Sequence, residues 1–236
     1  MNMNIIVTGA SRGIGYEIVK LMCLNSDHHI VAISRNESNL KKLKDECIQL
    51  NPKSSIITIS QDLNDFGNEL ISKILKGIDS IDVIINNAGA IINKPFAELT
   101  KEDLNYVYNV NLFSVVKLIQ SLMDYMGKTK TGHIVNIGSM GGFQGSSKFP
   151  GLAAYSSSKA ALANLTECLS IEFKDENIAV NCLALGATQT EMLSNAFPGY
   201  KAPLTAKEMA EFIVYFSLNG HHFFNGKILP VAMSNP

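Results

Sequence analysis

The sequence predicts an α/β fold: a doubly wound parallel sheet of about seven strands with helices on both faces. Three observations carry this prediction. Short apolar runs alternate with segments at helical spacing along all 236 residues, and the connections between them are short. The runs Val83–Ile85 and Ile134–Ile137 are apolar without interruption, as suits central strands covered on both faces. The first apolar run passes through a glycine-rich turn directly into helical spacing.

The first strand is predicted near 3–8, followed by Thr8-Gly9-Ala10-Ser11-Arg12-Gly13-Ile14-Gly15 and a helix near 13–25. Glycines there permit a tight turn and close approach of backbone to a phosphate. The helix start offers free N–H groups and the positive end of a dipole. Later strands are expected near 30–34, 55–60, 82–86, 133–138, 178–184 and 227–231. Later helices are expected near 37–50, 66–76, 101–127, 153–175 and 205–218. Thr100-x-x-Asp103 and Thr205-x-x-Glu208 mark two of these helix starts as capping boxes. With no repeat, low-complexity tract or linker, the chain is expected to be one domain over 1–236.

Composition narrows the function classes. Hydrophobic residues make up 46% and charged residues 17%, ordinary for a globular chain. The net charge of −1 argues against a nucleic-acid surface, and no apolar run reaches the ~18–20 residues of a membrane span. The start lacks a signal-like region, so a cytoplasmic location is expected. Cys23, Cys47, Cys168 and Cys182 show no metal or redox spacing and are expected to be buried thiols. The pairs His28-His29 and His221-His222 lack acidic or thiol companions and are expected at the surface, with no metal bound.

The chemistry is expected at the carboxyl edge of the sheet, where ligands of open parallel sheets sit. Gly9, Asn87 and Ser139 all follow predicted strands. Tyr155 and Lys159 lie four apart at the start of a helix and therefore share a face. Such pairs also occur on ordinary helices as a packed ring and a solvated ammonium, so this pair acquires weight only beside the other residues. A tyrosine working at neutrality needs a shift of roughly 3 units, about 4 kcal/mol. An ammonium ~4–5 Å away at an effective dielectric of ~20 supplies on the order of 3–4 kcal/mol.

Taken together, Thr8-Gly9-x-x-x-Gly13-Ile14-Gly15, Asn86-Asn87-Ala88-Gly89, Asn111, Ser139 and Tyr155-x-x-x-Lys159 resemble the short-chain dehydrogenase/reductase family in order and approximate spacing. The resemblance spans nearly the whole chain. It implies a Rossmann-type sheet, a nicotinamide cofactor and a small carbonyl or secondary alcohol substrate. It implies a homodimer or homotetramer built on the helices near 101–127 and 153–175. It also implies roles for Ser139 in polarising the carbonyl and for Tyr155 as acid/base. Lys159 is expected to lower the Tyr155 pKa and bond the nicotinamide ribose, and Asn111 to hold a water in a proton relay.

The cofactor expected is NADP, with NADPH preferred over NADH. NAD-using relatives carry an acidic residue at the end of the second strand, and the matching residue here is Ser34. Arg35 follows it and Arg12 lies in the glycine turn, and two guanidiniums suit a 2′-phosphate. By resemblance, Gly9, Ser11, Arg12, Gly13, Ile14 and Gly15 cradle the cofactor. Asp62 and Leu63 meet the adenine, Asn87, Ala88 and Gly89 line the adenosine ribose side, and Gly186 and Thr190 contact the nicotinamide end.

The sequence departs from the family pattern in places. Leu185 stands where the family has proline, which predicts a slightly looser nicotinamide pocket. The loop between Ser139 and Tyr155 is about three residues longer than in many relatives, and is expected to shape the substrate pocket. The segment after Thr190 is short, which predicts a site that is open or built for a variable substrate. Residues 231–236 lack the family's Asp-Gly-Gly, which predicts altered C-terminal packing. A 3-oxoacyl-carrier-protein reductase is the alternative activity, with Lys128 and Lys130 as docking cations, although Ile171 stands where an arginine is expected. A regulator that binds NADPH without turnover is the further alternative.

Overall fold

A computed structural model describes residues 2–25 and 27–233. Nine strands and eight α-helices are found among them. In chain order they are β1 (Asn4–Thr8), α1 (Gly13–Asn25), β2 (His29–Ser34), α2 (Glu37–Leu50), β3 (Ser55–Ser60), α3 (Asn68–Ile74), β4 (Val83–Asn86), α4 (Lys101–Tyr108), α5 (Ser114–Leu122), β5 (Gly132–Ser139), α6 (Ala153–Glu172), β6 (Ile178–Leu185), β7 (Thr188–Gln189), α7 (Glu191–Ala196), β8 (Leu204–Thr205), α8 (Ala206–Asn219) and β9 (Ile228–Val231).

Seven strands form one parallel sheet in the order β3-β2-β1-β4-β5-β6-β9, a Rossmann-type arrangement. Alternate strand residues point to opposite faces. Ile5, Val7, Ile30, Ala32, Val135 and Ile137 meet α1, α2 and α8 on one side. Ile6, Val31, Ile33, Ile84, Ile134 and Val180 meet α3, α5 and α6 on the other. Each fully buried isoleucine stabilises the layer by roughly 1.5–3 kcal/mol, which explains why the central strands carry unbroken apolar runs. Pro230 sits in the edge strand β9, where a missing N–H is tolerated.

Both capping boxes form. Thr100 accepts from the Asp103 N–H and Thr205 from the Glu208 N–H, each carboxylate reaching back to the cap. The helix expected over 101–127 is instead interrupted. Asn109–Phe113 is a π-turn in which the Ser114 N–H bonds the Asn109 carbonyl five residues back. Its cause is the buried Asn111, whose amide is drawn to a partner outside the helix, as described below. Two sequence expectations fail on burial. His28 is buried, not at the surface, because its Nδ1 accepts the Met3 N–H at 3.1 Å. Cys168 is exposed on α6, whereas Cys23, Cys47 and Cys182 are buried. The last residues of the departure expected at 231–236, Ser234 to Pro236, lie outside the described residues.

Candidate active site

The site is built on the carboxyl edge of the sheet, beginning at β1. Gly9 has φ +68° and Gly13 has φ +58°, backbone shapes that favour glycine. A Cβ on Gly9 would lie 2.8 Å from the Ala88 Cα, so the turn runs against the end of β4 with no room for a side chain. Asn87 fastens this contact: its Nδ2 donates to the Thr8 carbonyl at 3.0 Å and the Gly9 carbonyl at 3.3 Å. The Thr8 hydroxyl accepts the Asn87 and Ala88 N–H groups, both at 3.0 Å. Gly15 does not line the cavity; its missing side chain makes room for the Asn87 amide and the Gly9 carbonyl.

A cavity of about 650 Å³ follows this edge. Its wall includes Gly9, Ser11, Arg12, Gly13, Ile14, Arg35, Asp62, Leu63, Asn87, Ala88, Gly89, Ser139, Tyr155, Lys159, Gly186 and Thr190. Sixteen of the eighteen sequence-predicted residues therefore meet around one space, and only Gly15 and Asn111 stand behind its wall. From β3 to β6 the edge crosses six strands, about 24 Å at the usual spacing, room for an extended dinucleotide. The glycine turn at the α1 N-terminus, with its free N–H groups, fits a pyrophosphate. At the β2 end the Ser11 and Ser34 hydroxyls lie 2.8 Å apart, with Arg35 alongside and no carboxylate on that strand end. These groups fit an NADP-type cofactor.

Ser139 ends β5, and its Oγ accepts the Gly141 N–H at 3.1 Å, which orients the hydroxyl. Tyr155 is half-buried on the first turns of α6. Burial raises its phenol above the ordinary value, and the Ser139 hydrogen bond pulls the other way. Lys159 is buried, with its Nζ donating to the Ile137 carbonyl at 2.7 Å. Burial pushes its pKa down to about 8. The expected lowering of Tyr155 by Lys159 is thus corrected. That expectation counted only the attraction of the ammonium and left out desolvation, whereas burial here acts on both groups and disfavours both charged forms.

Asn111 is fully buried in the π-turn. Its Oδ1 accepts the Ala90 N–H at 2.7 Å, and its Nδ2 donates to the Ala90 carbonyl and the Ser158 Oγ, both at 2.9 Å. Both amide protons are spent on protein partners, leaving a single Oδ1 lone pair for any water. The side chain therefore ties the loop following β4 to α6.

Leu185 continues β6, in register with Ser139 and Val231, and is buried on the cavity wall. Other expectations are corrected here. The segment after Thr190 does not leave the site open. Thr190 caps α7 by accepting the Leu193 N–H at 3.2 Å, and Met192, Leu193, Phe197 and Tyr200 face the cavity. Strands β7 and β8 pair beneath this lid. Lys128 and Lys130 cannot serve beside the site. They precede β5, whose length of about 25 Å separates them from Ser139, and Lys130 is paired with Asp82 at 3.3 Å.

Several site residues were not singled out in the sequence. Glu191 is one: it forms an ion pair with Arg12 at 2.8 Å, joining the glycine turn to the lid. Asn93 donates to the Ala196 carbonyl at 2.7 Å, and Phe149 meets Phe197 edge-on at 6.4 Å. Asn93 and Phe149 lie in loops, and Glu191 and Phe197 at the two ends of the six-residue α7, all without motif or periodicity.

A sequence model described as short chain dehydrogenase matches residues 3–201. The 3-oxoacyl-(acyl-carrier-protein) reductase of Chlamydia muridarum is 30% identical over 241 residues, spanning 98% of this chain and 96% of its own. The carbonyl reductase (NADPH) 2 of Sus scrofa is 36% identical over 177 residues, spanning 75% of this chain and 68% of its own. The fold is shared with the L-sorbose reductase of Gluconobacter frateurii, solved with NADPH and L-sorbose. Its TM-score is 0.87 at 21% identity, covering 99% of this chain and 96% of that one. The chain belongs to the short-chain dehydrogenase/reductase family of nicotinamide-dependent oxidoreductases.

Proposed function

We propose that the protein is an NADPH-dependent reductase of carbonyl compounds, able to run in reverse on the secondary alcohol, with the chain acting as one oxidoreductase domain. The observation that carries this reading is the convergence of Ser139, Tyr155 and the buried Lys159 on one cavity wall, at the edge where the glycine cradle opens. When bound, the cofactor supplies the hydride. Ser139, aligned by the Gly141 N–H, donates to the carbonyl oxygen and stabilises the negative charge growing there. Tyr155, held protonated by burial, gives its proton to that oxygen. Lys159 keeps a positive charge beneath the phenolate that results and has two further N–H groups for a ribose hydroxyl. Asn111 is a positioning residue, which holds Ala90 and Ser158 and so the ground on which Tyr155 and Lys159 stand.

Preference for NADPH is supported by the absence of a carboxylate at Ser34 and by the presence of Arg12 and Arg35 on the cavity wall. The test is Tyr155→Phe: turnover is expected to fall by about 10³-fold or more while NADPH binding, read by fluorescence, stays within about twofold. Wild-type rates in that variant would sink the reading.

A second reading, reduction of a 3-oxoacyl thioester on a carrier protein, is favoured by the chlamydial relative, which matches along 98% of this chain. Against it, Ile171 is 76% exposed on α6 where an arginine was expected, and Lys128 and Lys130 are on the opposite edge. Acetoacetyl thioester reduction measured beside simple ketones separates the two.

A further inference from the structure

The cavity has two ends of different chemistry. Its charged wall residues are Arg12, Arg35, Asp62, Lys159 and Glu191. Arg35 and Asp62 follow β2 and β3, at the cofactor's adenosine end. Arg12 and Glu191 are paired with each other, and Lys159 donates to the Ile137 carbonyl. Beyond Ser139 and Tyr155, under α7, the wall is Ile91, Phe149, Leu152, Met192, Phe197 and Tyr200.

Beside this end, apart from the Tyr200 hydroxyl, polar side chains are already committed. The Asn93 amide donates to the Ala196 carbonyl at 2.7 Å. Gln189 donates to the Ser194 hydroxyl and accepts the Ala202 N–H, both at 3.0 Å. Lys148 donates to the Phe143 carbonyl and the Ser146 hydroxyl, both at 2.7 Å. These bonds staple the loop 140–150 and the lid; they leave few donors for a ligand. A ketose entering here would bury hydroxyls without partners, and a 2-oxoacid would bury a carboxylate without a cation. The Phe149 and Phe197 rings, edge to face at 6.4 Å, present flat apolar surfaces on which a ring packs well.

We infer that the substrate is an uncharged ketone whose carbonyl is carried on an aromatic or alicyclic body, and that Phe149 and Phe197 select for that body. This inference rests on the reductase reading above and adds the substrate class. The test compares 1-phenylpropane-1,2-dione with fructose, pyruvate and an acetoacetyl thioester, all with NADPH. The phenyl dione is expected to show kcat/KM at least about 50-fold above each of the others. In Phe197→Asn, its advantage over butane-2,3-dione is expected to fall about tenfold. A binding measurement runs in parallel: saturation-transfer NMR of the phenyl dione with Tyr155→Phe protein, where ring protons are expected to receive magnetisation. Ring contact without turnover in the wild type would keep the pocket assignment and sink the reductase reading. Equal or faster turnover of the ketose, the oxoacid or the thioester overturns the inference and leaves that reading standing. Absence of ring contact overturns the inference whatever the rates.

Discussion

Tyr155 and Lys159 share one face of α6, and burial acts on them in opposite senses: it raises the phenol and lowers the ammonium to about 8. The reductive direction uses both in their protonated forms, so carbonyl reduction is expected to fall as pH rises through about 8, and initial rates from pH 6 to 10 check this. A flat profile over that range would remove Lys159 from the chemistry. The same shift makes a stability prediction. Lys159 has a folded pKa of about 8 against 10.5 for the ordinary side chain. The unfolded chain therefore binds more protons between those values, and stability rises with pH across that window. Below it the buried ammonium is a constant penalty of about 3 kcal/mol, partly offset by its bond to Ile137, worth about 1–2 kcal/mol. Lys159→Met is therefore expected to lose activity yet gain about 1–2 kcal/mol at pH 7, with the gain shrinking toward pH 10. Urea unfolding at the two pH values checks it, and a variant less stable at pH 7 refutes it. At this scale the shared face of Tyr155 and Lys159 was legible in the sequence, because a spacing of four places both on one side of a helix. Their electrostatics were not legible, because burial and the Ile137 carbonyl are tertiary facts.

Elements set how rigid the site is. The turn between β1 and α1 is fixed by backbone contact, since a Cβ at Gly9 would meet Ala88 Cα at 2.8 Å and would also require φ +68°. Gly9→Ala is expected to destabilise the fold by about 1–3 kcal/mol and to abolish NADPH binding, read by thermal unfolding and fluorescence titration. A variant that binds NADPH normally would mean the turn does not hold the pyrophosphate. The link from this turn to α7 is softer. The Arg12–Glu191 pair is more than half exposed at both ends and is worth at most about 1 kcal/mol. Glu191→Gln frees Arg12, so NADPH is expected to bind up to about fivefold tighter while NADH is unchanged; equal effects on the two cofactors would show that Arg12 does not meet the 2′-phosphate. Strands, capped helices and the glycine turn were legible because period, caps and glycine placement are local. The π-turn at 109–113, α7 and the β7–β8 pair were not. Each is held by distant partners: Asn111 by Ala90, Asn93 by Ala196, and Thr188 by Leu204.

At the scale of the whole molecule, apolar side chains remain in contact with solvent on the helices that carry the site. Leu104 and Tyr106 on α4, Phe113 in the π-turn and Ile171 on α6 are exposed, Ile171 by 76%. These side chains are ones that an interface on α4 and α6 would cover. A stable partner there would cover about 800 Å² per chain. The family resemblance expects the same helices to join copies of this chain. Light scattering on the purified protein is therefore expected to give at least twice the 25.7 kDa chain mass. Ile171→Glu, which sets a carboxylate into an apolar interface, is expected to shift the population to single chains. Ile171 lies 16 residues from Tyr155 along α6, about 24 Å, so the substitution does not touch the site directly. Activity lost together with the dimer would then mean that packing between copies braces α4, the π-turn and α6 around Asn111. Activity kept in the single chain would mean that the hydrogen bonds of Asn111 brace them alone. A wild-type protein that runs as a single chain at micromolar concentration refutes the interface itself.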